Sequence, residues 1–365
     1  MTPQSSHLKT WASGNKGVLA ALVSAFLFGA GTPLAKGLLE HVSPWMLAGL
    51  LYLGSGVGLG FYRLVRGAVT PRLGRGEMGW LLGAVLCGGV LAPVLLMFGL
   101  SNIPSSHAAL LLNAEAVLTT LLAWAVFKES LGRRIALGMA AIVAGALLLS
   151  WPQNGGLQGV QLESFWPALA VLSACALWAL DNNLTRKVAL NDASWIACVK
   201  GLVAGSTNLA LAWAIGSALP QLSLAVPAAM LVGFLAYGVS LALFVVALRH
   251  LGASRSGAYF STAPFVGALF SVLFLAEPVT WQLLAAASLM GVGIWLHLTE
   301  HHAHAHSHEV LEHAHMHSHD QHHQHHQHHD HPATTEPHFH PHRHEPLTHV
   351  HAHYPDAHHR HVHNH

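Results

Sequence analysis

Apolar residues run along this chain in long blocks, and the polar residues gather between them. A membrane-crossing helix needs about 20 mostly apolar residues. Ten stretches meet that need, at about 17–39, 45–66, 78–101, 104–127, 132–150, 165–184, 193–215, 226–248, 254–275 and 280–298. The linkers are too short to hold a soluble domain. Lys and Arg fall in alternate linkers, at Lys9 and Lys16, Arg63 to Arg75, Lys128 to Arg134, Arg186 and Lys187, and Arg249 and Arg255. The intervening linkers have none, and only Lys36 departs from the alternation. Positive residues favour the cytoplasmic side, so the pattern predicts a multi-pass inner-membrane protein with both termini in the cytoplasm. The first apolar run is too long for the h-region of a signal peptide.

Composition agrees with this pattern. Of the 365 residues, 52% are hydrophobic and 9% charged, against about 25% charged in a soluble domain. A net charge of +1 leaves no basic surface for nucleic acid. Cys87, Cys175 and Cys198 lie in apolar runs without CxxC spacing. They read as small buried residues and not as disulfide or metal ligands. HExxH, GxSxG and GxxxxGK[ST] do not occur, and no nucleophile stands beside a base, so the expectation is not an enzyme.

The second half of the block pattern repeats the first. Leu100–Ser150 lies without a gap on Leu248–Leu298, pairing Ser106 with Ser254, Leu121 with Leu269, Glu129 with Glu277 and Gly145 with Gly293. Each half holds five spans. An odd number makes the second half enter the membrane upside down, the inverted repeat of many secondary transporters. The predicted fold is an all-α integral membrane protein of ten transmembrane helices in two inverted five-helix repeats, with a disordered tail. The expected segments are a cytoplasmic 1–16, repeats at 17–150 and 165–298, an outer linker at 151–164, and a cytoplasmic tail at 299–365.

The stretches "LSNIPSSHAALLLNAEAVLTTLLAWAVFKE" and "LRHLGASRSGAYFSTAPFVGALFSVLFLAE", with "GMAAIVAGALLL" and "LMGVGIWL", resemble the EamA-like members of the drug/metabolite transporter superfamily. The resemblance covers about residues 17–298. It implies a transporter, commonly an exporter coupled to ions or exchange, for substrates ranging over amino acids, sugars, metabolites and drugs. The first half departs from the pattern: Ala116, preceded by Glu115, stands where the second half has Pro264. The two halves should therefore serve the site unequally.

Glu115 is the strongest chemical signal. A charged residue at a span centre costs about 2.5–3.5 kcal/mol on insertion scales and usually faces a bundle interior or cavity. Burial favours the protonated form of a carboxylate, which suits proton coupling; the competing reading is a structural hydrogen bond to a neighbouring helix. Asn113 should point to a different face. His107 lies about two turns from Glu115 on nearly the same face, either as a relay partner or as an interfacial histidine. Asp181, Asn182 and Asn183 close the sixth span, and Lys200 lies in the seventh. Asp181 and Lys200 read as an ion pair clamping two spans, or as a substrate or gating pair. Lys36 either meets an anionic substrate or snorkels outward. Pro33, Pro93 and Pro264 fall within spans and free carbonyls or kink the helix. Trp124, Trp178 and Trp281 read as an aromatic belt, and Glu129 and Glu277 as structural markers of the repeat.

After Glu300 the composition changes. Of 33 histidines only His7, His41, His107, His250 and His297 precede that point. The segment is too polar to bury a core. Its imidazoles suit Zn, Ni, Co or Cu without defined geometry, with His322, His323, His325, His326, His328 and His329 as representative ligands. Three readings of the tail compete: a metal buffer or sensor, a device delivering metal to the pore, and a neutral repeat. No cofactor is required. The partners are a small-molecule substrate, the lipid bilayer and divalent metal ions. The expected function is alternating-access export of a small metabolite or drug-like solute, coupled to protons. The rival is a Zn, Ni or Co transporter or metal-sensing membrane protein that uses the tail.

Overall fold

Inside lipid no water bonds the backbone, so an apolar block that crosses must satisfy its own amides and carbonyls, and a helix does so. The structure is a computed structural model that describes residues 4–68, 74–127, 132–151, 165–185, 188, 192–217 and 224–299, with four strand segments beyond residue 300. Span one lies in α1 (Gln4–Leu38) and span two is α2 (Pro44–Arg66). Span three is α3 (Arg75–Ala84), a π-helical stretch Val85–Leu91, and α4 (Ala92–Asn102). Span four is α5 (Ser105–Leu111) and α6 (Ala114–Phe127), and span five is α7 (Arg133–Ser150). Spans six and seven are α8 (Trp166–Thr185) and α9 (Ala193–Ala214). Span eight is α10 (Ala225–Gly233), a π-helical stretch Phe234–Val239, and the start of α11 (Ser240–Phe260). Span nine takes the end of α11 and α12 (Ala263–Phe274), and span ten is α13 (Trp281–Leu298).

Eight of these stretches are long and apolar enough to cross a bilayer in one helix. The fourth and ninth are the exceptions, because each is broken near its middle, at Leu112–Asn113 and at Ser261–Thr262. The π-helical stretches also fall at matching places in the third and eighth spans. One element differs from expectation. The segment between spans eight and nine is helical within α11, whereas Ile103 and Pro104 interrupt the first half at the same place. Proline removes an amide and disfavours helix in the residue before it. The second half has Gly252 at that register, which leaves the helix intact.

The packing follows the repeat. Span two packs on span seven, span five on span ten, span one on spans eight and nine, and span six on spans three and four. Where α7 meets α13 a Cβ on Gly138 would stand 2.7 Å from the Gly293 carbonyl oxygen, and one on Gly293 2.6 Å from that of Gly138. Such close backbones are a membrane substitute for hydrophobic driving force. Ile142 and Met290, which the repeat register superposes, are both fully buried at this seam.

Contacts sort the span ends into two groups. At one end Lys36 reaches the end of span three, and Glu277 reaches the start of span four. At the other end Arg63 reaches Asp192, and Arg134 donates to the Thr299 carbonyl. The first group joins linkers free of Lys and Arg, and the second joins linkers that carry them.

Residues 301–365 form a separate unit. In it β1 (Ala303–Ser307) pairs antiparallel with β4 (Thr348–Ala352), and β2 (Leu311–His317) with β3 (His338–His344). The alternating His pattern has the period of a strand. A lone two-stranded ribbon is marginal in water, and each of these pairs strands far apart in the sequence.

Candidate functional site

The break in span four puts Glu115 in the first turn of α6. Acidic residues belong there, because the free amides and macrodipole of a helix start favour negative charge. The chain therefore crosses half the span, stops at Asn113, and restarts with a carboxylate at the restart point. Glu115 Oε1 accepts a hydrogen bond from Asn182 Nδ2 of α8 at 2.8 Å. The Leu111 carbonyl, freed by the break, accepts one from Cys175 Sγ of the same helix at 3.7 Å. The first half thus offers its broken span to the first helix of the second half.

Asn113 turns away from Glu115, as two-residue spacing requires. It is buried and donates to Met290 Sδ on α13 at 3.7 Å. Beside Glu115, Asp181 is buried and ion-paired with Lys200, whose Nζ lies 2.7 and 2.5 Å from its two oxygens. Thr185 donates to the same carboxylate at 2.9 Å. The Asp181 carboxylate presses against Gly88, where no Cβ would fit. Among the described residues Glu115 itself makes no ion pair.

Sequence reasoning missed a second polar seam. A π-helical stretch displaces the backbone bonding by one residue and often marks functional sites. In span three it frees carbonyls: Gly88 accepts from Tyr52 Oη at 2.7 Å and from Trp178 Nε1 at 2.9 Å. Gly89 and Val90 accept from the buried Asn208 at 3.2 and 3.3 Å. Trp178 is therefore an interior donor and not part of the aromatic belt, whereas Trp124 and Trp281 are exposed. Tyr52 also stacks on Tyr237, which lies in the π-helical stretch of span eight, with ring centroids 5.5 Å apart. Phe28 meets Tyr237 at 5.9 Å and Phe260 at 5.3 Å. A run of rings thus joins spans one, two and eight, and the Tyr52 hydroxyl ties it to span three.

The other expected site residues lie apart. Lys36 Nζ donates to the carbonyls of Leu100, Ser101 and Ile103 at 2.6, 3.2 and 3.0 Å, closing the end of α4. His107 is partly buried on α5, within Coulombic reach of Glu277; among the described contacts it makes no bond to Glu115. Asn183 donates to the Ala179 carbonyl of its own helix. His322, His323, His325, His326, His328, His329 and Glu129 lie outside the described residues. Among the described residues no cluster of three or more His, Cys, Asp or Glu could hold a metal.

Comparison with known proteins adds the class. The model of the EamA-like transporter family matches residues 15–151 and again 165–299. The chain is 28% identical over 297 residues to an uncharacterized transporter of Methanothermobacter thermautotrophicus, covering 77% of this chain and 85% of that one. It is 26% identical over 289 residues to the uncharacterized transporter YvbV of Bacillus subtilis, covering 76% and 90%. A solved crystal structure shares the fold at a TM-score of 0.58 and 19% identity, over 76% of this chain and 95% of that one.

Proposed function

Because the chain belongs to the EamA-like transporter family, being a multi-pass membrane transporter built on the two matched repeats, we propose that it exports a small metabolite or drug-like solute by alternating access and couples this to protons through Glu115. The supporting observation is the position of that carboxylate. It sits at a helix restart in mid-span, bonded to Asn182 of the opposite half. Broken helices at the repeat interface are where such transporters bind solute and coupling ion. With Lys200 already paired to Asp181, the Glu115 carboxylate is left to exchange a proton or meet a solute. Asn182, Asp181 and Lys200 line the same place from the second half. The alternation of Lys and Arg supports cytoplasmic termini.

Transport in reconstituted vesicles, with and without a proton gradient, tests this. Glu115→Gln should assemble as well as the parent, since a neutral amide is cheaper to bury than a charge, yet lose pH-dependent transport. Unchanged pH dependence would retire Glu115 as the coupling group.

A further inference from the structure

Glu277, one of the acids that mark the repeat, stands on a strained turn. α12 ends at Phe274, and Ala276 then takes a φ of 51°. Among the described residues this is the one non-glycine residue with positive φ. A side chain in that region is disfavoured, and strain of this kind persists where the surroundings over-determine it. What the turn achieves is to bring Glu277 back onto span four of the other half. Its Oε1 accepts from the Ser105 amide at 2.6 Å and the Ser105 hydroxyl at 2.9 Å, and its Oε2 from the Ser106 amide at 2.9 Å. The Ser105 hydroxyl also bonds that of Ser271 on α12 at 2.7 Å. Ser105, Ser106 and Ser271 are all buried. Burial alone would push the Glu277 carboxyl up, but the hydrogen bonds from Ser106 and Ser105 together hold it below the ordinary carboxylate range.

Among the described residues this arrangement exists at one end of the molecule. The free amides of Ser105 and Ser106 come from the interruption at Ile103–Pro104. At the matching place in the second half α11 is unbroken, so its amides bond within the helix. Two inverted repeats that alternate access must differ in conformation at any moment, and among the described residues this is one place where these two differ. The end concerned is the one whose linkers lack Lys and Arg.

We propose that Glu277 is a latch of the transport cycle: its carboxylate, held on the Ser105 and Ser106 amides, closes the Lys- and Arg-poor end, and its release lets spans four and nine part there. Lys36, bound to the carbonyls of residues 100, 101 and 103, steadies the chain that the latch grips. The latch is separate from solute chemistry and stands even if Glu115 proves idle.

A side-specific labelling experiment tests it. Asn113→Cys is placed in a full-length chain whose three cysteines are replaced by serine, and a membrane-impermeant maleimide is added to one side at a time. Asn113 lies buried below Ser105, at the break. Removing charge-assisted bonds with Glu277→Ala should speed labelling from the Lys- and Arg-poor side by about tenfold and leave the rate from the other side no faster. Ser105→Pro leaves the carboxylate in place and removes an amide and a hydroxyl. It suits the first position of a helix, and Pro104, at ψ 141°, already has the conformation that precedes a proline. It should act in the same direction, and it carries the test if Glu277→Ala does not assemble. Unchanged rates in both variants overturn the latch. So does equal acceleration from both sides, which would mean a loosened fold.

Discussion

The fourth span and its inverted copy, the ninth, share an architecture and differ in chemistry. Both break near the middle, and both restart with a helix whose second residue is distinctive: Glu115 in α6 and Pro264 in α12. At the ninth span the break is satisfied locally. The Ser261 hydroxyl donates to the Gly257 carbonyl at 2.9 Å and that of Thr262 to the Tyr259 carbonyl at 2.6 Å. At the fourth span the Leu111 carbonyl accepts from Cys175 across the interface, and the Glu115 side chain that follows the break accepts from Asn182. The difference teaches that the fold needs two breaks, while one break is enough to present a carboxylate. The halves share the scaffold and divide the labour.

The sharpest attack on this comparison is to change what the second half contributes to Glu115. Asp181 and Lys200 are a buried pair, and removing one partner of such a pair costs about 3–5 kcal/mol, because the other charge is left unpaired. Lys200→Met should therefore give the largest loss of stability, with Asp181 left beside Glu115. The double variant Asp181→Asn with Lys200→Met should recover most of it, since replacing both partners is often neutral. Denaturant titration in mixed micelles reads the stability, and vesicle transport reads the function. If the recovered double variant transports normally, the pair is only a clamp, and Glu115 works with Asn182 alone.

A smaller change probes how the ninth span ends. Ala276→Gly removes the side chain that makes a φ of 51° costly. The gain of about 1 kcal/mol or more from relieving the left-handed conformation is partly offset by glycine's extra freedom in the unfolded chain, about 0.5–1 kcal/mol. The net expectation is a slightly more stable protein, read by the same titration. A loss of stability would mean that the turn is held by contacts of the alanine methyl and that it is not a strained spring.

The scaffold was legible because lipid enforces it. Apolar length, the spacing of Lys and Arg, and the ungapped register from Leu100 to Ser150 carry the ten spans and their inversion. The breaks were less legible. "LLLNAEAV" is apolar enough to read as one helix, although an asparagine followed by an acid two residues later is also the pattern of a helix start. Glu115 stood out in the sequence for its charge, but its place in the first turn of a helix did not. The Glu277 contact was invisible, since nothing local in "LAEPVT" says that an alanine adopts a left-handed turn to reach residue 105. The π-helical stretches were likewise hidden: one extra residue in each hydrogen-bonded ring leaves no mark in composition, and the partners of the freed carbonyls, Tyr52, Trp178 and Asn208, come from three other spans.

The smallest effect is expected at the opposite end, where the halves meet through spans two and seven. Asp192 caps α9, accepting from the Ser194 amide at 2.9 Å, and pairs with Arg63 at 2.5 Å. Partial burial pushes its carboxyl up, but the Arg63 and Ser194 hydrogen bonds outweigh this and hold it below the usual carboxylate value. A group whose folded value is depressed adds stability above its unfolded value and loses that contribution as pH falls through the folded one. Acidification below the ordinary aspartate range should therefore loosen this end, while neutral and alkaline conditions leave it alone. The side chain is 39% exposed, so solvent and salt screen the pair, and the effect should shrink at high ionic strength. Hydrogen exchange at the start of α9, measured along an acid series for the parent and for Asp192→Asn, reads it directly. The parent should lose protection on acidification, and the variant should start low and change little. If the two follow the same acid profile, the ends of the molecule differ in the Glu277 contact alone, and Asp192 is a helix cap with no part in holding the halves together.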